Sequence, residues 1–233
     1  MNRKVKKYQL KNSYFKTNRM MNLPDTILEI AEYEKANGEL PFAYTGSNWV
    51  YDAFCERQKY RGVHNAQFLT PDDTVSRMMW FADNYFTGKI VLEPCCGTGQ
   101  ITRELLNDGY DVSAFDNDCQ LVRLCNILYP GLTVFTSDFR ECDFHVRQII
   151  ANPPYEIDVL TDFLEWIDRV QVCGGISILL MPKGFIKKVN PRRTYDALGK
   201  FEILETEDMT EDFARTKTSA EIVVFRKLKP VNA

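Results

Sequence analysis

Asn152, Pro153, Pro154 and Tyr155 stand at the end of an apolar run from Val146 to Ala151, and their types suit one difficult reaction, the alkylation of an exocyclic amine. Such an amine is a poor nucleophile because its lone pair is delocalised into the ring. Acceptors draw that lone pair out: an Asn side-chain oxygen and a neighbouring backbone carbonyl each take one N–H and favour a tetrahedral nitrogen facing an electrophile. Two prolines offer no competing N–H and hold φ at about −65°, so the carbonyl between them has a fixed direction. The Tyr ring offers a face to a planar base, a contact worth about 1–3 kcal/mol. Asn-Pro and Pro-Pro are also turn signals, and the tetrapeptide alone could simply open a loop.

Upstream residues weigh against that plain alternative. Glu93-Pro94-Cys95-Cys96-Gly97-Thr98-Gly99 follows one apolar run and opens a helical one, the place where a doubly wound sheet binds its ligand. The glycines permit close backbone approach, but Thr102 stands where a dinucleotide fingerprint has its third glycine. Glu93, Asp116 and Asp138 end or follow successive expected strands. Three carboxylates around one crevice would repel a pyrophosphate and suit a cationic ligand with ribose hydroxyls, such as a sulfonium.

The elements that must position these residues follow from periodicity. Helices are expected over Pro24–Asn37, Trp49–Tyr60 and Thr74–Phe86, the last capped by Asp72 or Asp73. From Lys89 onward strands (Ile90–Glu93, Val112–Phe115, Thr133–Thr136, Gln148–Ala151, Ile176–Leu180) alternate with helices (Gln100–Asp108, Cys119–Leu128, Ile157–Val172). That alternation calls for a parallel sheet covered on both faces. Phe201–Thr206 and Glu221–Arg226 are strand-like with only the 210–218 loop between them, which calls for a reversed last strand.

With 233 residues, 45% of them hydrophobic, the chain can bury one main core. Its apolar runs are strand-sized, far short of the roughly 18 residues of a membrane span, and no secretory leader is seen. Seven cysteines without a C-x-x-C pair, beside two histidines, read as reduced thiols in a cytoplasmic protein with no zinc or other metal. Net charge is −3, yet residues 1–20 hold Arg3, Lys4, Lys6, Lys7, Lys11, Lys16 and Arg19 with no acid, interleaved with Tyr8, Tyr14 and Phe15. Such an arm could track a phosphate backbone or remain a solvated tail. Lys183, Lys187, Lys188, Arg192 and Arg193 form a second acid-free run after the fifth strand of the series, on the rim that carries the tetrapeptide. A division into a basic flexible arm (1–20), a helical extension (21–63) and a main domain (64–233) follows.

Gln67-Phe68-Leu69-Thr70-Pro71, Leu92-Glu93-Pro94-Cys95-Cys96-Gly97-Thr98-Gly99, Phe115-Asp116, Ser137-Asp138-Phe139 and Asn152-Pro153-Pro154-Tyr155 resemble the ordered motifs of class I S-adenosylmethionine-dependent methyltransferases. The nearest resemblance is to N6-adenine DNA methyltransferases whose cofactor motif precedes the catalytic tetrapeptide, and it spans about residues 64–228. It implies a Rossmann-like α/β fold with strand order 3-2-1-4-5-7-6, strand seven antiparallel, and S-adenosylmethionine as cofactor. It further implies that Phe68, Thr70 and Pro71 meet the cofactor, Thr70 at the methionine carboxylate, and that Glu93, Pro94, Cys95, Gly97 and Gly99 form the loop beneath the methionine part. Asp116, with Asn117 beside it, would hold the ribose hydroxyls; Asp138 would accept from the adenine amino group, with Phe139 beside that ring. Asn152, which would also border the cofactor, and the Pro153 carbonyl would hold the target amine, and Tyr155, aided by Phe213 from a late loop, would stack on the target base. The implied partner is DNA, with Lys183, Lys187 and Lys188 as phosphate contacts. RNA is the alternative, since the tetrapeptide also occurs in enzymes that methylate adenine in RNA or a glutamine amide in protein. No large recognition domain is evident, which leaves room for a separate specificity subunit, or for a non-catalytic binding subunit that keeps the fold.

Overall fold

Strand β3 (Ile90–Pro94) lies inside a seven-stranded sheet, third in the strand order, and buries every residue after Ile90. A computed structural model describes residues 8–9, 23–43, 49–50, 52–53, 69–187, 191–209 and 219–229 of the chain. Beside β3 lie β4 (Asp111–Asp116) and then β5 (Val134–Thr136) on one side, and β6 (Val146–Ala151) and then β7 (Gln171–Pro182) on the other. All five are parallel. β9 (Ala220–Lys227) pairs antiparallel with β7 and with the edge strand β8 (Phe201–Asp208), which gives the order β5-β4-β3-β6-β7-β9-β8 and the expected reversed last strand.

Alternation along each strand feeds two cores. Val91, Val112, Ile150 and Leu180 pack under α2 (Asp72–Tyr85), α3 (Gln100–Asn107) and α4 (Cys119–Leu128). Leu92, Phe115, Ile149 and Leu179 pack under α5 (Ile157–Val170) and α6 (Arg192–Leu198). The helical segment α1 (Leu23–Asn37) buries Ile27, Leu28, Ile30 and Ala31 with Trp49 and Val50 against Leu121 and Leu124 of α4. Two short strands, β1 (Tyr8–Gln9) and β2 (Phe42–Ala43), pair in parallel. Of the expected Trp49–Tyr60 helix, residues 49–50 and 52–53 are described and helical; the rest, and the 210–218 loop, lie outside the described residues.

Two expectations need correction. Neither Asp72 nor Asp73 caps α2: the N-cap is Pro71, extended at φ −61°, and both acids sit in the first turn, where they favour the positive end of the helix dipole. α5 ends at Val170, two residues early, because Gln171 pairs with Val146 and so begins β7 five residues ahead of Ile176. Arg192–Leu198, at the end of the basic run, forms a further helix.

Candidate active site

Strand register brings the motifs together. Leu92 pairs with Ile149, and Pro94 with Phe115. Continuing that register, one residue on from Pro94 and Phe115 and three on from Leu92 and Ile149, Cys95, Asp116 and Asn152 stand at one level on the carboxyl rim of three adjacent strands. The sheet order also reverses between β3 and β6, the switch point where such sheets hold ligands. A cleft there is lined by Leu69, Thr70, Glu93, Cys95, Gly97, Gln100 and Asn152.

The loop from Cys95 to Gly99 is built from left-handed residues. Cys95, Gly97 and Gly99 have φ of 57°, 57° and 78°. At Gly99 a side chain would be strained and would also collide, since a Cβ would lie 2.5 Å from the Tyr129 ring. Cys125 Sγ donates to the Gly97 carbonyl at 3.3 Å and so ties the loop to α4. Burial pushes the Cys95 thiol well above its ordinary range, as do the carboxylates of Asp116, Asp138 and Glu93; it is not poised as a nucleophile.

Two acids are buried in the crevice without an ion-pair partner among the described residues. Glu93, 1% exposed, accepts from the Thr102 hydroxyl. Desolvation pushes its carboxyl up to about 8, against the opposing pull of that hydrogen bond. Asp116, 8% exposed, accepts from the backbone N–H of Gly97 and of Asp118, each at 2.9 Å. Burial raises it too, and those N–H groups recover part of the shift. Asp116 thus also holds the glycine loop in place, while Asn117 beside it is exposed.

Asn152 donates from Nδ2 to Thr70 Oγ1 at 3.0 Å, which turns its side-chain oxygen away from Thr70. Thr70 is buried just before α2, next to the N-cap Pro71. Pro153 is buried, Pro154 half-buried, and the half-buried Tyr155 ring packs against the core under α2; burial raises the Tyr155 hydroxyl well above its usual range. Asp138 caps a short 3-10 turn, accepting from the Arg140 N–H at 2.9 Å, and forms an ion pair with the Arg140 guanidinium at 3.2 Å. The Phe139 ring is buried edge-on to Phe163 at 5.1 Å, with the Arg140 guanidinium 4.6 Å from its centroid.

The basic run is largely neutralised. Lys183 pairs with Asp208 at 2.7 Å, Arg192 with Asp196 at 3.2 Å, and Arg193 with Asp162 at 2.6 Å and with Glu165. Burial would raise Asp162, but the hydrogen bonds from Arg140 and Arg193 outweigh it and hold that carboxyl low. Lys187 is exposed. Phe68, Lys188 and Phe213 lie outside the described residues. Arg140 and Gln100 escaped the motif reading. Arg140 is one residue past the Asp138-Phe139 pair, and Gln100 occupies a first helical position where a polar residue is ordinarily solvated.

No protein-family model matches the chain, and no curated protein matches it by sequence. Solved structures do match in fold. A Listeria monocytogenes protein provisionally assigned as a class I S-adenosylmethionine-dependent methyltransferase is 14% identical, with TM-score 0.67 over 95% of this chain and 86% of that one. A Pyrococcus horikoshii protein provisionally assigned as an RNA methyltransferase is 18% identical, with TM-score 0.58 over 80% of this chain and 100% of that one. The glycopeptide N-methyltransferase MtfA, solved with sinefungin, is 11% identical, with TM-score 0.51 over 66% of this chain and 87% of that one. The architecture is the Rossmann-like fold of class I S-adenosylmethionine-dependent methyltransferases. Because that fold carries a glycopeptide enzyme and a protein provisionally assigned to RNA alike, it leaves the acceptor to be argued from the site.

Proposed function

We propose that the protein is an S-adenosylmethionine-dependent methyltransferase acting on the exocyclic N6 amine of adenine in DNA. The observation that carries this reading is the register that sets Asn152 at the level of Cys95 and Asp116, across the switch point from the glycine loop. The crevice fits the cofactor on its own chemistry. Two buried acids without cations among the described residues gain from a positively charged ligand, whose charge would offset the cost of their desolvation. Thr70, Glu93, Gly97 and Asp116 would hold S-adenosylmethionine, which when bound supplies an electrophilic methyl group.

The chain's own residues do the rest. Asn152 accepts one N–H of the target amine through its side-chain oxygen, and the Pro153 carbonyl accepts the other, so the nitrogen lone pair is drawn out of the ring. Tyr155 holds the base from one side. Reaching an adenine within a duplex requires flipping it out, which costs a few kcal/mol. Orientation and preorganised acceptors provide the acceleration, with no covalent intermediate on the protein. A second reading, adenine in RNA, is favoured by the likeness to the Pyrococcus horikoshii protein.

The test supplies purified protein with methyl-labelled cofactor and either unmodified DNA or RNA, then digests each to nucleosides. Label in N6-methyldeoxyadenosine is expected. Label confined to N6-methyladenosine would move the acceptor to RNA, and label in neither would overturn the proposal.

A further inference from the structure

We infer that Gln100 binds the carboxylate at the amino-acid end of the cofactor, an assignment that rests on the methyltransferase reading and adds a recognition residue to it. Gln100 is the first residue of α3 and follows the left-handed Gly99. Its side chain is 4% exposed and lines the cleft beside Thr70, Glu93 and Asn152. The Nε2 amide is buried with no acceptor among the described residues. A buried donor in that condition destabilises the folded chain unless a ligand supplies the acceptor, so it marks where a ligand atom belongs.

The surroundings say which atom. Gly99 gives α3 no side-chain cap, so the first turn adds backbone N–H groups and the positive end of the helix dipole, and both favour an anion. Thr70 Oγ1 already accepts from Asn152, which directs its own O–H elsewhere, as a second donor in the same cleft. Glu93 supplies the opposite character. Donors on Gln100 and Thr70 with a buried acid in the same cleft match the two ends of an α-amino acid: the carboxylate meets Gln100 and Thr70, and the ammonium meets Glu93.

Calorimetry on the full chain with two ligands tests this. S-adenosylhomocysteine and 5′-methylthioadenosine share the thioether and the adenosine and differ in the amino-acid end. Gln100→Leu keeps a similar volume without the donor, so S-adenosylhomocysteine should bind about ten- to a hundred-fold more weakly while methylthioadenosine binds as before. Gln100→Glu should weaken S-adenosylhomocysteine further, through repulsion between carboxylates. Unchanged S-adenosylhomocysteine affinity in Gln100→Leu would overturn the assignment. An equal loss for both ligands would too, because the residue would then be shaping the loop. Tighter binding in Gln100→Glu would place the ammonium there instead. A wild-type protein that binds neither ligand would bring down the methyltransferase reading itself, and that failure appears before any substitution is made.

Discussion

Glu93 and Asp116, at the ends of β3 and β4, are held very differently from Asp162, Glu165 and Asp208 beside the segment that follows β7. The first two are almost fully buried and, among the described residues, meet a hydroxyl or backbone N–H groups and no cation. The other three lie nearer to solvent, each against a Lys or Arg. A buried acid without a counter-charge is costly and finds its justification in a ligand. Exposed pairs of the second kind contribute about 0–1 kcal/mol each and finish the surface. Charge in a sequence therefore says little until its partner is known: the acid-rich crevice is the region waiting for a cation, whereas the basic rim has already spent most of its cations on the protein.

The sharpest way to break this contrast is at the amine acceptor. Asn152→Ala removes one of two preorganised acceptors, and the methylation rate should fall by about a hundred- to a thousand-fold. Cofactor affinity should fall far less than the rate, because Asn152 acts on the target amine and reaches the cofactor residues through its hydrogen bond to Thr70. A variant that methylates at near wild-type rate would detach the chemistry from the crevice.

Asp116→Ala comes next. Losing a carboxylate that would take both ribose hydroxyls should weaken S-adenosylmethionine by about one to two orders of magnitude in calorimetry. The same substitution frees the N–H groups of Gly97 and Asp118, so the melting temperature should fall as well, at a cost of about 1–3 kcal/mol. Full affinity in a folded variant would place the ribose elsewhere.

Glu93 gives the contrast a pH axis. Its carboxyl is held at about 8 when folded, above its ordinary value of 4.5, so the folded state retains a proton that the unfolded chain releases. The stability this provides is complete below the ordinary value and is lost as pH rises toward about 8. Glu93→Gln cannot titrate, and its melting temperature should rise relative to wild type between pH 5 and pH 9. The wild type should bind the cationic cofactor more tightly as pH rises to about 8, by at most about tenfold per pH unit. Parallel pH profiles for the two proteins would show that Glu93 faces no cation.

Much of this site was legible before the structure, for a physical reason. Strands β3, β4 and β6 announce themselves by short apolar stretches at their carboxyl ends (Ile90–Leu92, Ala114–Phe115 and Ile149–Ala151), and a residue just past such a stretch must lie on the carboxyl rim. Glu93, Asp116 and Asn152 could thus be placed near one another from spacing alone. Pairing across the chain could not be read in that way. The acids that neutralise Arg193 come from α5, 28 and 31 residues earlier in the chain, and the Arg140 that bridges Asp138 to Asp162 carries no local signal of either partner. Gln100 fails for a related reason, because burial at a first helical position depends on Leu69, Thr70 and Asn152 closing around it.

The smallest effect separates cations that are spent from one that is exposed. Binding through phosphates falls with salt, and the log–log slope grows by about 0.9 for each duplex phosphate neutralised. Arg193 is shared between Asp162 and Glu165, so pulling it onto a phosphate would sacrifice both pairs, and Arg193→Gln should leave the slope for DNA unchanged. Lys187 is exposed, and Lys187→Gln should lower the slope by about one unit, with cofactor affinity unaltered. Removing residues 1–20 should lower it by several units if the seven cations there track the backbone. A slope that drops with Arg193→Gln and not with Lys187→Gln would reverse the contrast, making the paired rim the working surface and its ion pairs a resting state that nucleic acid displaces.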